Sequence, residues 1–183
     1  MNIVAALTCV SAFSSFGWGI LYFFAKPSGV TWQAAAVAVL GLFFGGWHIQ
    51  AITISTMAPW RIAVGIIAHL VSATIFWSAV HACRAHRLTA IFEGDLPVRL
   101  VQNGPYRRVR HPIYAAYTVF WLGGWVASGS LVTLLSVVVM GAIYAAGARE
   151  EERKFMRSAL AEEYSAYRQR VGRWLPRLSL GSL

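Results

Sequence analysis

Long apolar segments dominate this sequence and restrict it to folds that reside in a lipid bilayer. Runs without a charged side chain cover about residues 2–25, 31–57, 62–82 and 113–148. A helix needs about 20 such residues to cross ~30 Å of hydrocarbon. Composition agrees, since 57% of the residues are hydrophobic and only 13% are charged, against about 25% charged in an average soluble domain. The sequence therefore predicts an all-α integral membrane protein.

The last apolar run is too long for one crossing. Gly129, within Ala127-Ser128-Gly129-Ser130, divides it into arms at about 113–127 and 131–148, which predicts a tight helical hairpin. The chain is thus predicted to be one membrane domain over residues 1–183, with about five transmembrane helices. Its predicted parts are three N-terminal spans in 1–83, a polar motif segment at 84–112, the hairpin at 113–148 and a C-terminal amphipathic helix at 149–177.

The charged residues predict how this bundle is oriented. Six of the 16 Lys and Arg lie in residues 84–110 and eight in 149–177, and all seven acidic residues lie in the same two segments. The positive-inside rule assigns both segments to the cytoplasmic side. The N-terminus is then predicted to lie outside and the C-terminus inside, in a bacterial inner membrane. The net charge of +9 is expected to attract anionic lipid head groups, and no nucleic-acid partner is expected.

The cysteines and the histidines within spans favour structural roles. Cys9 and Cys83 have no metal-ligand spacing around them and are predicted to be small buried hydrophobic residues. His48 and His69 lie within spans, where polar side chains usually hydrogen-bond to other helices. His48 with Gln50 could also contact a substrate head group. No metal site is predicted.

The stretch "NGPYRRVRHPIYAAY", residues 103–117, is the strongest candidate for chemistry. It places three arginines between Gly104-Pro105 and His111-Pro112. Each proline favours a defined bend, because the residue before a proline avoids the helical region. The hairpin would return the chain to this face, next to residues 149–153 with their three glutamates. A volume of arginines, carboxylates, aromatic rings and a histidine could hold a zwitterionic or cationic cofactor. An ordinary interfacial anchor would need no such shaping.

With "GPYRRVRHPIYAAY", a hairpin and then "EERKF" and "EEYSAYRQRVGRWLP", the chain resembles the isoprenylcysteine carboxyl methyltransferase family of integral membrane methyltransferases, to which phospholipid N-methyltransferases are similar. The resemblance covers about Leu100 to Pro176. It implies S-adenosylmethionine as methyl donor on the cytoplasmic side and a lipophilic substrate that enters from the bilayer. No obligate protein partner is implied.

The resemblance also implies which residues form the site. One wall of the cofactor site would consist of Gly104, Pro105, Tyr106, Arg110, His111, Pro112 and Tyr114, and the other wall of Glu151 and Glu152. Arg110, His111 and Glu152 are the candidate catalytic residues. The chain reads "SALAEEY" where the isoprenylcysteine enzymes usually carry Phe-Gly before the glutamate and tyrosine. It therefore stays open which of Glu150, Glu151 and Glu152 contacts the cofactor.

Two further functions and two acceptor classes remain to be compared. A carboxylate acceptor would need no strong base, whereas an amine would need His111 or a glutamate to take its proton. A membrane sterol or steroid reductase would use the arginines to bind the phosphates of NADPH, which the paired glutamates would repel. A non-enzymatic scaffold would explain the basic segments but not the Gly-Pro-Tyr and His-Pro bends. Glu93 and Asp95 are expected in a solvated turn, with a role in capping or lining the site as the alternative.

Overall fold

The computed structural model describes residues 1–23, 32–83 and 96–177. Within these ranges the helices are α1 (Asn2–Phe23), α2 (Trp32–Thr53), α3 (Pro59–Ala82), a short 3-10 helix (Gly104–Arg107), α4 (Pro112–Ser128), α5 (Leu131–Arg157) and α6 (Ala161–Arg170). In the same ranges the only extended pairing is an isolated parallel bridge between Val109 and Gly172. The predicted all-α class is confirmed, while Glu93 and Asp95 lie outside the described residues.

Four helices of the described chain are long and apolar enough to cross a bilayer, namely α1, α2, α3 and α5. Their outer faces carry exposed large apolar side chains, such as Ile3, Leu70 and Leu135, as lipid-facing surfaces require. The protein is therefore an integral membrane protein. α4 has 17 residues, or about 25 Å of helix. It is therefore slightly shorter than a helix that crosses the full hydrocarbon layer of about 30 Å.

Contacts between helix ends define two ends of the bundle. Asn2 donates a hydrogen bond to the Ser55 carbonyl at 2.7 Å, and Arg61 Nε donates to the Val126 carbonyl at 3.0 Å. The start of α1, the end of α2, the start of α3 and the tip of the α4–α5 pair therefore meet at one end, here called the hairpin end. Residues 99–111 and 149–177 lie at the other, here called the charged end. α4 runs from one end to the other beside α3.

The turn between α4 and α5 depends on a glycine. Gly129 has a φ of +65° and its N–H donates to the Trp125 carbonyl at 2.8 Å, which ends α4. Such a left-handed backbone favours glycine. A Cβ at this position would also lie 2.8 Å from the Met57 sulfur. Local conformation and packing against the α2–α3 connection both make the chain turn here.

Buried histidines join helices within the bundle, as predicted. His48 Nε2 on α2 lies 2.7 Å from the Ser136 hydroxyl on α5. His69 Nδ1 on α3 lies 3.4 Å from the Thr8 hydroxyl on α1. His48 is completely buried, so it offers no surface to a substrate head group. Cys9 and Cys83 are free and buried, as predicted.

The predicted single amphipathic helix over 149–177 is not what the structure shows. α5 continues through residue 148 to Arg157. The Ser158 hydroxyl then donates to the Phe155 carbonyl and accepts from the Leu160 N–H, which interrupts the helix. α6 ends at Arg170 and not at Pro176, because the following backbone pairs with residues 109–111. Within α6 the buried residues are Tyr164 and Tyr167.

Candidate active site

Three separate chain segments meet at the charged end. The 3-10 helix packs on the end of α3, and Gly104 (φ +53°) lies so close that a Cβ there would be 3.0 Å from the Ala82 Cβ. The segment after α6 runs beside the motif, with the Arg110 N–H donating to the Gly172 carbonyl at 2.8 Å. On α6, the Tyr167 hydroxyl donates to the Tyr106 carbonyl at 2.7 Å. These contacts hold the backbone of the motif in place.

Glu152 lies at the centre of the resulting site. Its side chain is about 6% exposed and accepts hydrogen bonds from Arg110 Nε and Nη2 at 3.2 and 3.0 Å. Arg173 donates to it through Nε, at 3.0 Å, and through Nη2, and His111 Nε2 lies 3.2 Å away. These donors favour the ionised carboxylate, and the bond to Glu152 in turn raises the pKa of Arg173. A buried charge is tolerated when it is paired this completely.

Arg110 extends the same cluster to the backbone of α6. Its Nη1 donates to the carbonyls of Arg168, at 3.2 Å, and of Val171. These carbonyls belong to the last turn of α6 and to the residue that follows it, where the backbone lacks helical partners. Arg110 therefore joins the C-terminal end of α6 to Glu152 on α5.

Glu151 has a different environment from its two neighbours. Its Oε1 accepts a hydrogen bond from the Tyr114 hydroxyl at 2.7 Å, and its Oε2 lies 3.2 Å from His111 Nδ1. The Glu151 side chain is 32% exposed, so part of the carboxylate stays accessible. Glu150 instead pairs with Arg153 on the outer surface, at 2.8 Å. Glu151 is thus the carboxylate that is both oriented and accessible.

His111 bridges the two inner carboxylates. Burial by itself would lower the pKa of His111, but hydrogen bonds to Glu151 and Glu152 outweigh it and raise this pKa above the ordinary 6.5. The protonated imidazole can donate to both carboxylates, because each ring nitrogen faces one of them. Both nitrogens are therefore engaged.

Aromatic rings enclose the carboxylates on the bundle side. The ring of Tyr114 stacks on His111 at 5.7 Å and on Tyr144 at 5.6 Å, and lies 6.1 Å from Trp174. The Tyr106 phenol lies beside the Cys83 thiol and interacts electrostatically with Glu151. Burial is the main cause that raises the pKa of Tyr106 well above 10, so its hydroxyl stays neutral. The rings provide flat, electron-rich surfaces next to an accessible carboxylate.

Most of the predicted site residues come together. Arg110, His111, Tyr114, Glu151 and Glu152 form one connected cluster, and Tyr106 lies beside it. Gly104, Pro105 and Pro112 contribute through the path of the backbone.

Sequence reasoning missed three contributors, namely Tyr144, Arg173 and Trp174. Arg173 and Trp174 lie inside "RQRVGRWLP", the last part of the stretch on which the resemblance was based. Their place in this stretch could have identified them as candidate site residues. Tyr144 lies in the apolar arm of the hairpin, and nothing in its local sequence distinguishes it from an ordinary aromatic residue of a span.

The cluster fits a cofactor that carries positive charge. The accessible Glu151 carboxylate, which the Tyr114 hydroxyl orients, can bind an ammonium or a sulfonium group. The accessible Glu151 carboxylate would at the same time repel a phosphate group placed beside it. A helical membrane bundle with such a site at one end has the features of a membrane-bound enzyme that uses a cationic or zwitterionic cofactor.

Comparison with known families agrees with this class. The sequence model of the family described as phospholipid methyltransferase matches residues 60–163, more than half of the chain. The chain belongs to this family of membrane methyltransferases, whose members generally use S-adenosylmethionine. No curated protein sequence matches the chain. The matched region contains α3, the motif and both inner glutamates, so the predicted membrane methyltransferase resemblance is confirmed at the level of this family.

Proposed function

We propose that the protein transfers a methyl group from S-adenosylmethionine to a lipophilic acceptor at the cytoplasmic face of the membrane. The observation that carries this proposal is the Glu151 carboxylate, which Tyr114 and His111 orient and which stays accessible beside aromatic rings. S-adenosylmethionine supplies a methyl group on a sulfonium. The acceptor is a lipid-type molecule with a carboxylate or a head group as its nucleophile, and it reaches the site from the bilayer.

Some residues of the site would contact the cofactor, and others hold the surrounding segments in place. Glu151, Tyr114 and Trp174 would contact the cofactor, with the Gly104–Tyr106 turn as the facing wall. Glu152 pairs with Arg110 and Arg173, and these contacts hold α5, α6 and the motif in register. Methyl transfer is an in-line displacement, so accurate positioning supplies much of its rate. A rigid ionic frame suits that requirement.

His111 acts as a positioning residue in this proposal. Both of its ring nitrogens face carboxylates, so neither is available to accept a proton from an acceptor. Its contribution is to fix the orientation of Glu151. This role differs from the general-base role that the motif suggested for an amine acceptor.

Ligand-induced thermal stabilisation in detergent tests the proposed function. S-adenosylhomocysteine should stabilise the wild-type protein, by about 2.7 kcal/mol at a hundredfold excess over its dissociation constant, and NADPH should not. Glu151→Gln should weaken this binding at least tenfold, because a charge-assisted contact is lost. Glu150→Gln is the matched control and should bind normally. Stabilisation by NADPH alone would favour a reductase, and no shift with either ligand would contradict the proposal.

Reporter fusions test the proposed orientation. Fusions at the N-terminus and after Gly129 should report the outside, and a fusion at the C-terminus should report the cytoplasm. The physical reason is the charge asymmetry between the two ends of the bundle. A C-terminal fusion on the same side as Gly129 would mean that α5 does not cross, and would contradict five spans.

A further inference from the structure

The outer side of α5 carries arginines where the lipid-facing part of the helix ends. α5 has 27 residues, or about 40 Å of helix, which exceeds the hydrocarbon layer of about 30 Å. From Leu131 to residue 148 it has no charged side chain, over about 27 Å. Its last turns, from Arg149 to Arg157, therefore lie at the depth of the lipid head groups and beyond.

These arginines continue one exposed face of the helix. Exposed residues recur along α5 at steps of three and four, and residues at such steps lie on the same face. The face is here called the outer stripe, and it consists of Leu135, Val138, Ala142, Ala146, Arg149 and Arg153. Apolar side chains are thus followed by basic ones along a single face of one helix.

The protein itself neutralises the basic end of the outer stripe only in part. Within the described chain, no carboxylate lies within ion-pair distance of Arg149. Arg153 pairs with Glu150, but the two side chains are 61% and 37% exposed, and exposed pairs of this kind are weak. Glu151 and Glu152 are engaged by the motif. The stripe therefore ends in a basic surface at the level of the head groups.

Small side chains precede the arginines on the outer stripe. Ala142 and Ala146 are exposed, and a Cβ added to the neighbouring Gly141 would meet nothing within 4 Å. Small residues let an apolar partner approach a helix closely within a membrane. A ligand with an anionic group at the end of a flexible apolar chain would therefore contact both halves of the stripe.

Charge complementarity identifies the occupant of the outer stripe. A guanidinium group binds phosphate oxygens well, and anionic lipids attract basic residues at the membrane surface. A soluble phosphate would contact only the basic half. A second copy of the chain in a symmetric dimer would place the same residues opposite one another, so that Arg149 and Arg153 would repel their counterparts. An anionic phospholipid matches the apolar and the basic half together.

We propose that the outer stripe of α5 is a binding site for an anionic phospholipid. Its phosphate lies between Arg149 and Arg153, and one acyl chain runs along Ala146, Ala142 and Val138. The motif contacts of Glu151 and Glu152 lie elsewhere on α5, so this site is separate from the candidate active site. It does not depend on the proposed methyl transfer.

Lipid binding to the full chain tests this site. Dioleoylphosphatidylglycerol and dioleoylphosphatidylcholine are titrated separately into the purified protein in mixed micelles, and native mass spectrometry counts the retained lipids. The two lipids have the same chains and differ in the charge of the head group. The wild type should bind phosphatidylglycerol more tightly, and this lipid should also stabilise it more against heat, because it binds the folded state.

A double substitution removes the basic end of the outer stripe. Arg149→Gln with Arg153→Gln should lower the affinity for phosphatidylglycerol at least tenfold, because each basic residue beside an anionic surface contributes about fivefold. Its affinity for phosphatidylcholine should stay that of the wild type. Arg168→Gln with Arg170→Gln is the matched control. It removes the same charge from α6, whose exposed residues include no large apolar side chain, and it should bind both lipids like the wild type.

Other results would overturn the proposal in distinguishable ways. Equal affinity of the wild type for the two lipids would make the outer stripe an ordinary lipid-facing surface. Equal losses in the two double variants would show that phosphatidylglycerol responds to net charge and not to the stripe. Displacement of the lipid by glycerophosphoglycerol, the head group without chains, would assign the arginines to a soluble anion. A wild-type dimer that retains no phosphatidylglycerol would assign the stripe to a second copy.

Discussion

Glu152→Gln is expected to lower the free energy of unfolding by about 3 kcal/mol or more, since breaking a buried ion pair from one side costs about 3–5 kcal/mol. The substitution removes the charge that Arg110 and Arg173 share. The Arg110 side chain is only 7% exposed, so water cannot replace the lost partner efficiently. Unfolding in a detergent titration, followed by circular dichroism, measures the change.

Glu150→Gln is the matched control for this prediction. Glu150 lies two residues before Glu152 on α5, and its partner Arg153 is 61% exposed. Exposed pairs of this kind contribute between 0 and about 1 kcal/mol. The control should therefore unfold within about 0.5 kcal/mol of the wild type. Equal losses in the two variants would show that Glu152 is not the centre of an ionic frame.

Gly172→Ala is expected to abolish most of the binding of S-adenosylhomocysteine, with at least a tenfold loss of affinity. A Cβ at Gly172 would lie 1.9 Å from the Leu175 carbonyl oxygen and 3.1 Å from its carbon. These are backbone atoms, which cannot rotate away as the end of a side chain can. The segment after α6 would have to shift, and it carries Arg173 to Glu152 and Trp174 to the ring of Tyr114.

Gly141→Ala provides the control for the same chemical change. A Cβ at Gly141 on α5 meets nothing within 4 Å, and alanine is favoured over glycine in a helix by up to about 1 kcal/mol. This variant should bind normally and unfold no more easily than the wild type. Normal ligand affinity in Gly172→Ala would contradict the assignment of the C-terminal segment to the site.

The membrane architecture could be predicted from the sequence because it follows from local properties. The length and apolar character of a segment decide whether it can cross a bilayer as a helix. α1, α2 and α3 accordingly lie close to the predicted runs. Gly129 likewise marks the hairpin turn through its own backbone freedom. The distribution of charged residues also needs no tertiary information, and it predicted that the motif and residues 149–177 lie on the same side of the membrane.

Most of the residues that meet in the candidate site could also be predicted from the sequence. The two prolines of the motif set local bends, and the hairpin was expected to bring residues 149–153 back to it. Tyr114, His111 and Arg110 do contact Glu151 and Glu152. The path of the chain after residue 148 could not be predicted. The break at Ser158 depends on one hydroxyl, and the end of α6 depends on the pairing of residues 109–111 with the C-terminal segment.

Only the tertiary structure decided how three consecutive glutamates divide their roles. Successive residues on a helix point about 100° apart, so their sequence neighbourhood is nearly identical while their surroundings are not. The rotation of α5 against the motif turns Glu152 toward Arg110 and Arg173, Glu151 toward Tyr114, and Glu150 toward the outer surface. That rotation is set by packing between segments far apart in the chain, which no local pattern of residues records.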